Sequence, residues 1–210
     1  ILMKNIFKLM SLNILLITSL SFSVTTEDIY DNSWALIVGI DKYESVPKLN
    51  YAVKDAQTMQ DILLNTFAFP SDNITLLIDE KANKQSILQS FSNITKNANE
   101  NDRVVIFFAG HGETRKISGS DVDLGYLIPV DGKTDNLTRT TLSMETIKIF
   151  SNEIPAKSVL FLVDACYGGL AAVGQYRSNR DLDIVRGLTK DRSRMIITAG
   201  KKDELVVENE

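Results

Sequence analysis

Two apolar runs, RVVIFFAGHG (Arg103–Gly112) and SVLFLVDACYGG (Ser158–Gly169), constrain this chain more than any other feature. Each is too short for a comfortable helix, is rich in β-branched and aromatic residues, and stops at glycine. That pattern reads as a buried strand running into a tight turn. The first turn carries His111, the only histidine among 210 residues, and the second carries Cys166, the only cysteine. A lone cysteine after an apolar strand can be an inert core thiol, and a lone histidine can be a satisfied surface residue. On pattern alone, a Cys–His site and that blander pair of roles both stand.

Around these runs the chain alternates. Trp34–Ile40 (WALIVGI) reads as a first strand, and a helix starting at Asn50 or Tyr51 runs through Phe67. Ala52, Ala56, Met59, Ile62, Leu63 and Phe67 recur there at three- and four-residue spacing. Ile74–Ile78 is a second strand, and Asn83 is placed to cap a helix over Lys84–Asn97. Arg103–Ala109 is the third strand. Within the Gly- and Asp-rich Ser118–Asp135, Tyr126–Val130 suggests a small β-ribbon, and Ser143 and Glu145 open a helix to about Ser151. Ser158–Val163 and Met195–Ala199 are the fourth and fifth strands, separated by the polar loop Gly168–Arg192. Strands alternating with helices predict a mostly parallel sheet with helices on both faces. Ligands of such sheets bind beyond the carboxyl ends of the strands, where both turns fall.

At 44% hydrophobic and 24% charged residues the composition is globular, and a net charge of −4 gives no support to a nucleic-acid partner. One cysteine excludes an internal disulfide and zinc sites built from several thiolates. Residues 1–23 read separately: Lys4 and Lys8 precede the mostly apolar Leu9–Phe22, and Ser21 and Ser23 are small residues at cleavage-site spacing. This is a signal peptide or an uncleaved N-terminal anchor, which is the one route to a membrane. It implies export, whether periplasmic, extracellular or anchored outside the cytoplasm. Residues 24–33 form a linker, and 34–210 the folded domain.

The two turns suit one chemistry. A cysteine attacks a carbonyl as thiolate, and a nearby imidazole can take that proton and later give it to a departing amine. The developing oxyanion needs donors, and the backbone N–H groups of Gly112 and Cys166 are candidates.

The residues resemble the caspase-like cysteine peptidases, the group of caspases, metacaspases and paracaspases. FFAGHG (Phe107–Gly112) is similar to the family's histidine motif, and VDACYGG (Val163–Gly169) to its cysteine motif D-x-C-x-[SG]-G. The 55-residue separation of His111 and Cys166 is close to the roughly 50 of caspases. WALIVGIDKY (Trp34–Tyr43) resembles the first strand and PKLNYAVKDAQTM (Pro47–Met59) the first helix, so the likeness runs from about Trp34 to Glu204. It implies a caspase-like three-layer α/β/α fold with a mostly parallel central sheet. It implies an endopeptidase with His111 and Cys166 as catalytic dyad, a Gly112 and Cys166 oxyanion hole, a thioester intermediate and a peptide or protein substrate. No cofactor or metal is implied, and calcium dependence and oligomeric state are left open. The family's sheet continues past the fifth strand, so the C-terminal part of the core is expected to be missing here.

The same likeness bears on specificity. Asp164 stands where caspases have glutamine, as in the metacaspases and paracaspases that cut after Arg or Lys. Asp55 and, more loosely, Glu204 match further acidic pocket residues. Carboxylates in a partly desolvated pocket favour a basic side chain. Lys48 argues the other way, since it aligns with a caspase arginine that binds aspartate; Asp55 also reads as a solvated helix position and Asp164 as an acceptor for turn amides. Tyr167 and Gly168 depart from the histidine and serine of typical metacaspases. Arg177, Arg180 and Arg186 lie where relatives are cut during maturation, and read either as self-cleavage sites or as a solvated basic loop. The alternative to an enzyme is an inactive domain of this fold serving as a binding or scaffolding module. A thiol redox role lacks a resolving cysteine.

Overall fold

The computed structural model describes residues 29–116, 123–166 and 192–198. The segment 1–23, the three loop arginines Arg177, Arg180 and Arg186, and Glu204 lie outside the described residues. The elements in chain order are β1 (Ser33–Gly39), α1 (Ala52–Asn65), β2 (Ile74–Ile78), α2 (Lys84–Asn97), β3 (Arg103–Lys116) and β4 (Asp123–Leu127). A short α3 (Leu137–Thr140), β5 (Leu142–Ser143), α4 (Met144–Glu153), β6 (Ser158–Cys166) and β7 (Ser193–Thr198) complete them.

Hydrogen bonding orders the parallel strands β2-β1-β3-β6-β7. The chain moves outward from β1 to β2, then crosses back to place β3 on the other side of β1. Right-handed crossovers in opposite directions put α1 and α2 on opposite faces. The side-chain period of two makes both faces apolar. Ala35, Ile37, Val105, Phe107 and Ala109 meet Ala52, Ala56 and Leu63 of α1. Leu36, Val38, Val104, Ile106, Phe108 and Phe161 meet Ile87, Phe91 and Ile94 of α2 and Ile147 of α4. The result is the three-layer α/β/α architecture. α1 lies so close to β1 that a Cβ at Gly39 would run into the Ala52 carbonyl and the Ala56 methyl.

The helix ends follow local rules. Asn83 Oδ1 accepts the Ser86 N–H at 2.8 Å and Ser143 Oγ accepts the Thr146 N–H at 3.1 Å, each satisfying a donor that the first helical turn leaves open. The far end of α4 is closed from β7, where Arg194 donates from Nε to the Ser151 carbonyl and from Nη2 to the Ile154 carbonyl, each at 2.8 Å.

Two strands are longer than their apolar runs. β3 does not turn at His111 but continues to Lys116, its polar tail pairing antiparallel with β4. β6 likewise runs to Cys166. The apolar run stops where burial stops, at the rim of the sheet, whereas backbone pairing goes on wherever a partner strand is present. The expected ribbon at Tyr126–Val130 is shifted to Asp123–Leu127, because Pro129 has no N–H to give a ladder. Among the described residues no helix is long and apolar enough to cross a membrane.

Candidate active site

The carboxyl end of β6 and the stretch of β3 beside it bring the two single residues together. His111 and Cys166 are register partners across the parallel pair, on strands that lie about 4.8 Å apart. All nine residues of β6 and the matching residues of β3, from Arg103↔Ser158 to His111↔Cys166, are paired without a break, so the register is rigidly set.

A loop from the other side of the sheet holds His111. Beyond β1, Asp41–Leu49 folds against β3 at His111. Tyr43 is buried, its ring centroid 4.9 Å from that of His111 and tilted by 51°. Its hydroxyl oxygen accepts the His111 backbone N–H at 2.7 Å. The ring nitrogen Nε2 lies 2.9 Å from the Pro47 carbonyl oxygen. A carbonyl only accepts, so Nε2 carries the proton and Nδ1 keeps its lone pair in the neutral ring. Nδ1 is therefore the nitrogen able to take a proton. Burial pushes the Tyr43 phenol well above its ordinary pKa; the His111 N–H pulls it back in part, and Asp41 and Asp79 push it further up. The hydroxyl stays neutral at any functional pH.

Gly110 makes room for this arrangement. A Cβ there would collide with the Tyr43 hydroxyl and press on the Phe108 ring. Gly110→Ala is expected to cost about 1–3 kcal/mol, read as a lower urea midpoint. Tyr43→Phe in the same chain removes the oxygen that is struck, so the double variant should lose less than the two single losses added together. Simple additivity would contradict the collision.

Gly112 is oriented by the β3–β4 ladder. The Ile128 N–H donates to the His111 carbonyl at 3.0 Å, and Gly112 faces Leu127 in the antiparallel register. That makes Gly112–Leu127 a non-hydrogen-bonded pair, in which the Gly112 N–H points away from β4. It is directed to the β6 side, where the Cys166 backbone stands.

The acidic residues are less tightly gathered. Asp164 is exposed at the end of β6, opposite Ala109 in register. The alternation along β6 puts it on the face of Leu162, which packs on the α1 cluster. Asp55 is half-buried in the first turn of α1, so both carboxylates belong to the same face of the sheet. Lys48 is exposed and adjoins Pro47. Among the described residues no group of three or more His, Cys, Asp or Glu is placed to hold a metal ion.

Sequence reasoning missed Tyr43 and Pro47. Tyr43 lies 68 residues from His111 and Pro47 64, and a backbone carbonyl leaves no signature in residue type. The one legible trace was Gly110, the missing side chain against which a bulky neighbour sits.

Comparison with known proteins agrees with the fold. The family model of the caspase domain (peptidase C14) matches residues 32–207. Metacaspase-1 of Eremothecium gossypii is 26% identical over 150 residues, covering 67% of this chain and 32% of that protein. A probable protease of a Desulfuromonadales bacterium is 32% identical over 151 residues, covering 64% of this chain and 18% of its own length. This chain thus spans about a third or less of those relatives. The crystal structure of protein GSU0716 from Geobacter sulfurreducens superposes with a TM-score of 0.54 at 18% identity, covering 64% of this chain and 50% of that one, a likeness of fold alone.

Proposed function

This chain belongs to the caspase domain family, and on that premise we propose that it is a cysteine endopeptidase cutting after Arg or Lys with a Cys166–His111 dyad. The observation that carries the reading is the pairing of His111 and Cys166 in register, with Nε2 of His111 tied to the Pro47 carbonyl. A ring held that way offers Nδ1 to a thiol. The Cys166 sulfur gives up its proton to His111 and bonds to the substrate carbonyl carbon. The oxyanion so formed takes hydrogen bonds from the Gly112 and Cys166 N–H groups. His111 then protonates the amine as the C–N bond breaks, leaving a thioester. Water, giving its proton to His111, adds to the thioester and the C–S bond breaks, restoring the thiol.

The preference for a basic residue rests on Asp164 and Asp55, which share the α1 face near the carboxyl ends of the strands. Both are carboxylates able to pair with a guanidinium or ammonium, and a bidentate pair with Arg would be the stronger. The test is a comparison of fluorogenic peptides ending in Arg, Lys and Asp, with Asp164→Asn alongside the parent chain. Arg- and Lys-ending peptides should be cut, and Asp164→Asn should raise KM for them more than it lowers kcat. Preferential cutting after Asp would instead favour a pocket built on Lys48. A peptide carrying a thiol-directed warhead separates the enzyme from a scaffolding domain: failure to label Cys166 would favour the latter.

A further inference from the structure

We propose that Asp79, at the end of β2, is a positioning residue for His111, anchoring the loop that carries both groups touching the histidine. This rests on the dyad reading above. Asp79 does not contact His111. Its carboxylate oxygen Oδ1 accepts the backbone N–H groups of Asp41 and Lys42, both at 2.9 Å. Oδ2 lies 3.4 Å from the Lys42 ammonium. The last register pair of β1 with β2 is Gly39↔Ile78, so Asp79 supplies with its side chain the acceptors that β2 no longer supplies with its backbone. It does so from a φ of 45°, in the left-handed region, which among non-glycine residues Asp and Asn adopt most readily because the short polar side chain bonds to nearby backbone. Burial works against the ionised carboxyl, but the Lys42 and Asp41 amides and the Lys42 ammonium outweigh it and hold its pKa below the ordinary value.

From that anchor the loop is closed on itself. The Asp41 carbonyl accepts the Leu49 N–H at 2.9 Å, and the Asp41 carboxylate accepts the Ala52 N–H at 2.9 Å, joining the loop to the start of α1. The Glu44 N–H donates to the Val130 carbonyl at 3.1 Å. Between these ties sit Tyr43, which holds the His111 backbone, and Pro47, which holds the His111 ring. Backbone and ring of one histidine are therefore both fixed by a single loop. The loop's own position on the sheet is fixed by Asp79. The charged and titratable groups nearest the anchor are Asp41, Lys42 and Tyr43. Without Asp79 the two amides lose a charged acceptor, the Pro47 carbonyl is free to drift, and the ring loses the partner that keeps Nδ1 as the proton acceptor.

Cys166 is the only cysteine, so iodoacetamide reports on it alone. The full chain is alkylated across pH 5–9 as the parent and as His111→Ala, Asp79→Ala, Asp79→Asn and Ile94→Ala. The last is a core control remote from the loop, used with melting temperatures to separate loss of position from loss of stability. In the parent, the thiolate should persist to acid pH through its imidazolium partner. His111→Ala should remove that acid limb. Asp79→Ala should move the midpoint up by about one unit, a tenfold slower reaction at pH 6, and Asp79→Asn, which keeps an acceptor oxygen, should restore part of it. The proposal is overturned if Asp79→Ala reacts like the parent while His111→Ala does not, or if Ile94→Ala at a matched melting temperature slows equally. Should the alanine variant fail to fold, Asp79→Asn is read against the same control, and an unchanged profile overturns the proposal. A parent profile identical to that of His111→Ala would sink the dyad reading itself, and this inference with it.

Discussion

Replacing Cys166 with alanine is expected to abolish hydrolysis of an arginine-ending fluorogenic peptide, and His111→Ala to lower kcat/KM by about a hundred- to ten-thousand-fold. The two losses differ because the proposed mechanism gives the two residues different work. Without the sulfur there is no atom to form the acyl intermediate, and the oxyanion donors have nothing to stabilise. Without the imidazole the thiol can still attack in its small thiolate fraction at neutral pH, so a remnant should survive and rise with pH as more thiolate forms. That rise is the diagnostic. Initial rates between pH 6 and 9, with far-ultraviolet circular dichroism to show that the secondary structure is retained, check it. Parent-like cleavage by the Cys166→Ala chain would remove the proposed nucleophile outright. A flat pH profile for His111→Ala would mean that the imidazole does not govern the thiolate.

Phe161→Ala is expected to lower stability by about 3–5 kcal/mol. Phe161 is among the largest fully enclosed side chains. It stands in the middle of β6, with its ring 6.2 Å from that of Phe91 on α2, and Phe91 in turn stacks at 5.0 Å on Phe150 of α4. The chain of three rings ties the strand that ends in Cys166 to both helices of one face. Truncation leaves a cavity that close-packed neighbours fill only in part, and aromatic pairing is lost as well. Domains of this kind have about 5–15 kcal/mol in hand, so the variant should unfold well below the parent in urea. Ile149→Ala, at a site 57% exposed, should stay within about 0.5 kcal/mol. Equal losses at the two sites would contradict the burial that separates them.

Much of the fold was legible because it rests on patterns that are local. Lys84–Asn97 shows its apolar face, its Asn83 cap and its length in the residues themselves, and it forms with those bounds. Ile74–Ile78 does so too. The ends of β3 and β6 were not legible, since a polar strand tail such as GETRK carries no apolar run and is held only by β4, its antiparallel partner. The short α3 was missed for a similar reason: four residues give no period to read.

The candidate site divides in the same way. His111 and Cys166 stood out as single residues at the ends of apolar runs. That both fall at one edge of the sheet followed from the alternation of strands and helices. What residue type alone established about this protein is therefore the layered α/β plan; it also singled out the sheet edge and the two side chains to which the proposed chemistry is assigned. Tertiary structure decided the rest: that His111 sits inside a strand in register with Cys166, that its proton lies on Nε2, and that Tyr43 and Pro47, on a loop anchored by Asp79, hold it there. The physical reason is range. Periodicity, caps and apolar runs act over a few residues and are written in their types. A carbonyl 64 residues away and the amides of a loop that a distant carboxylate holds are backbone groups that every residue shares, and only folding brings them to their partners.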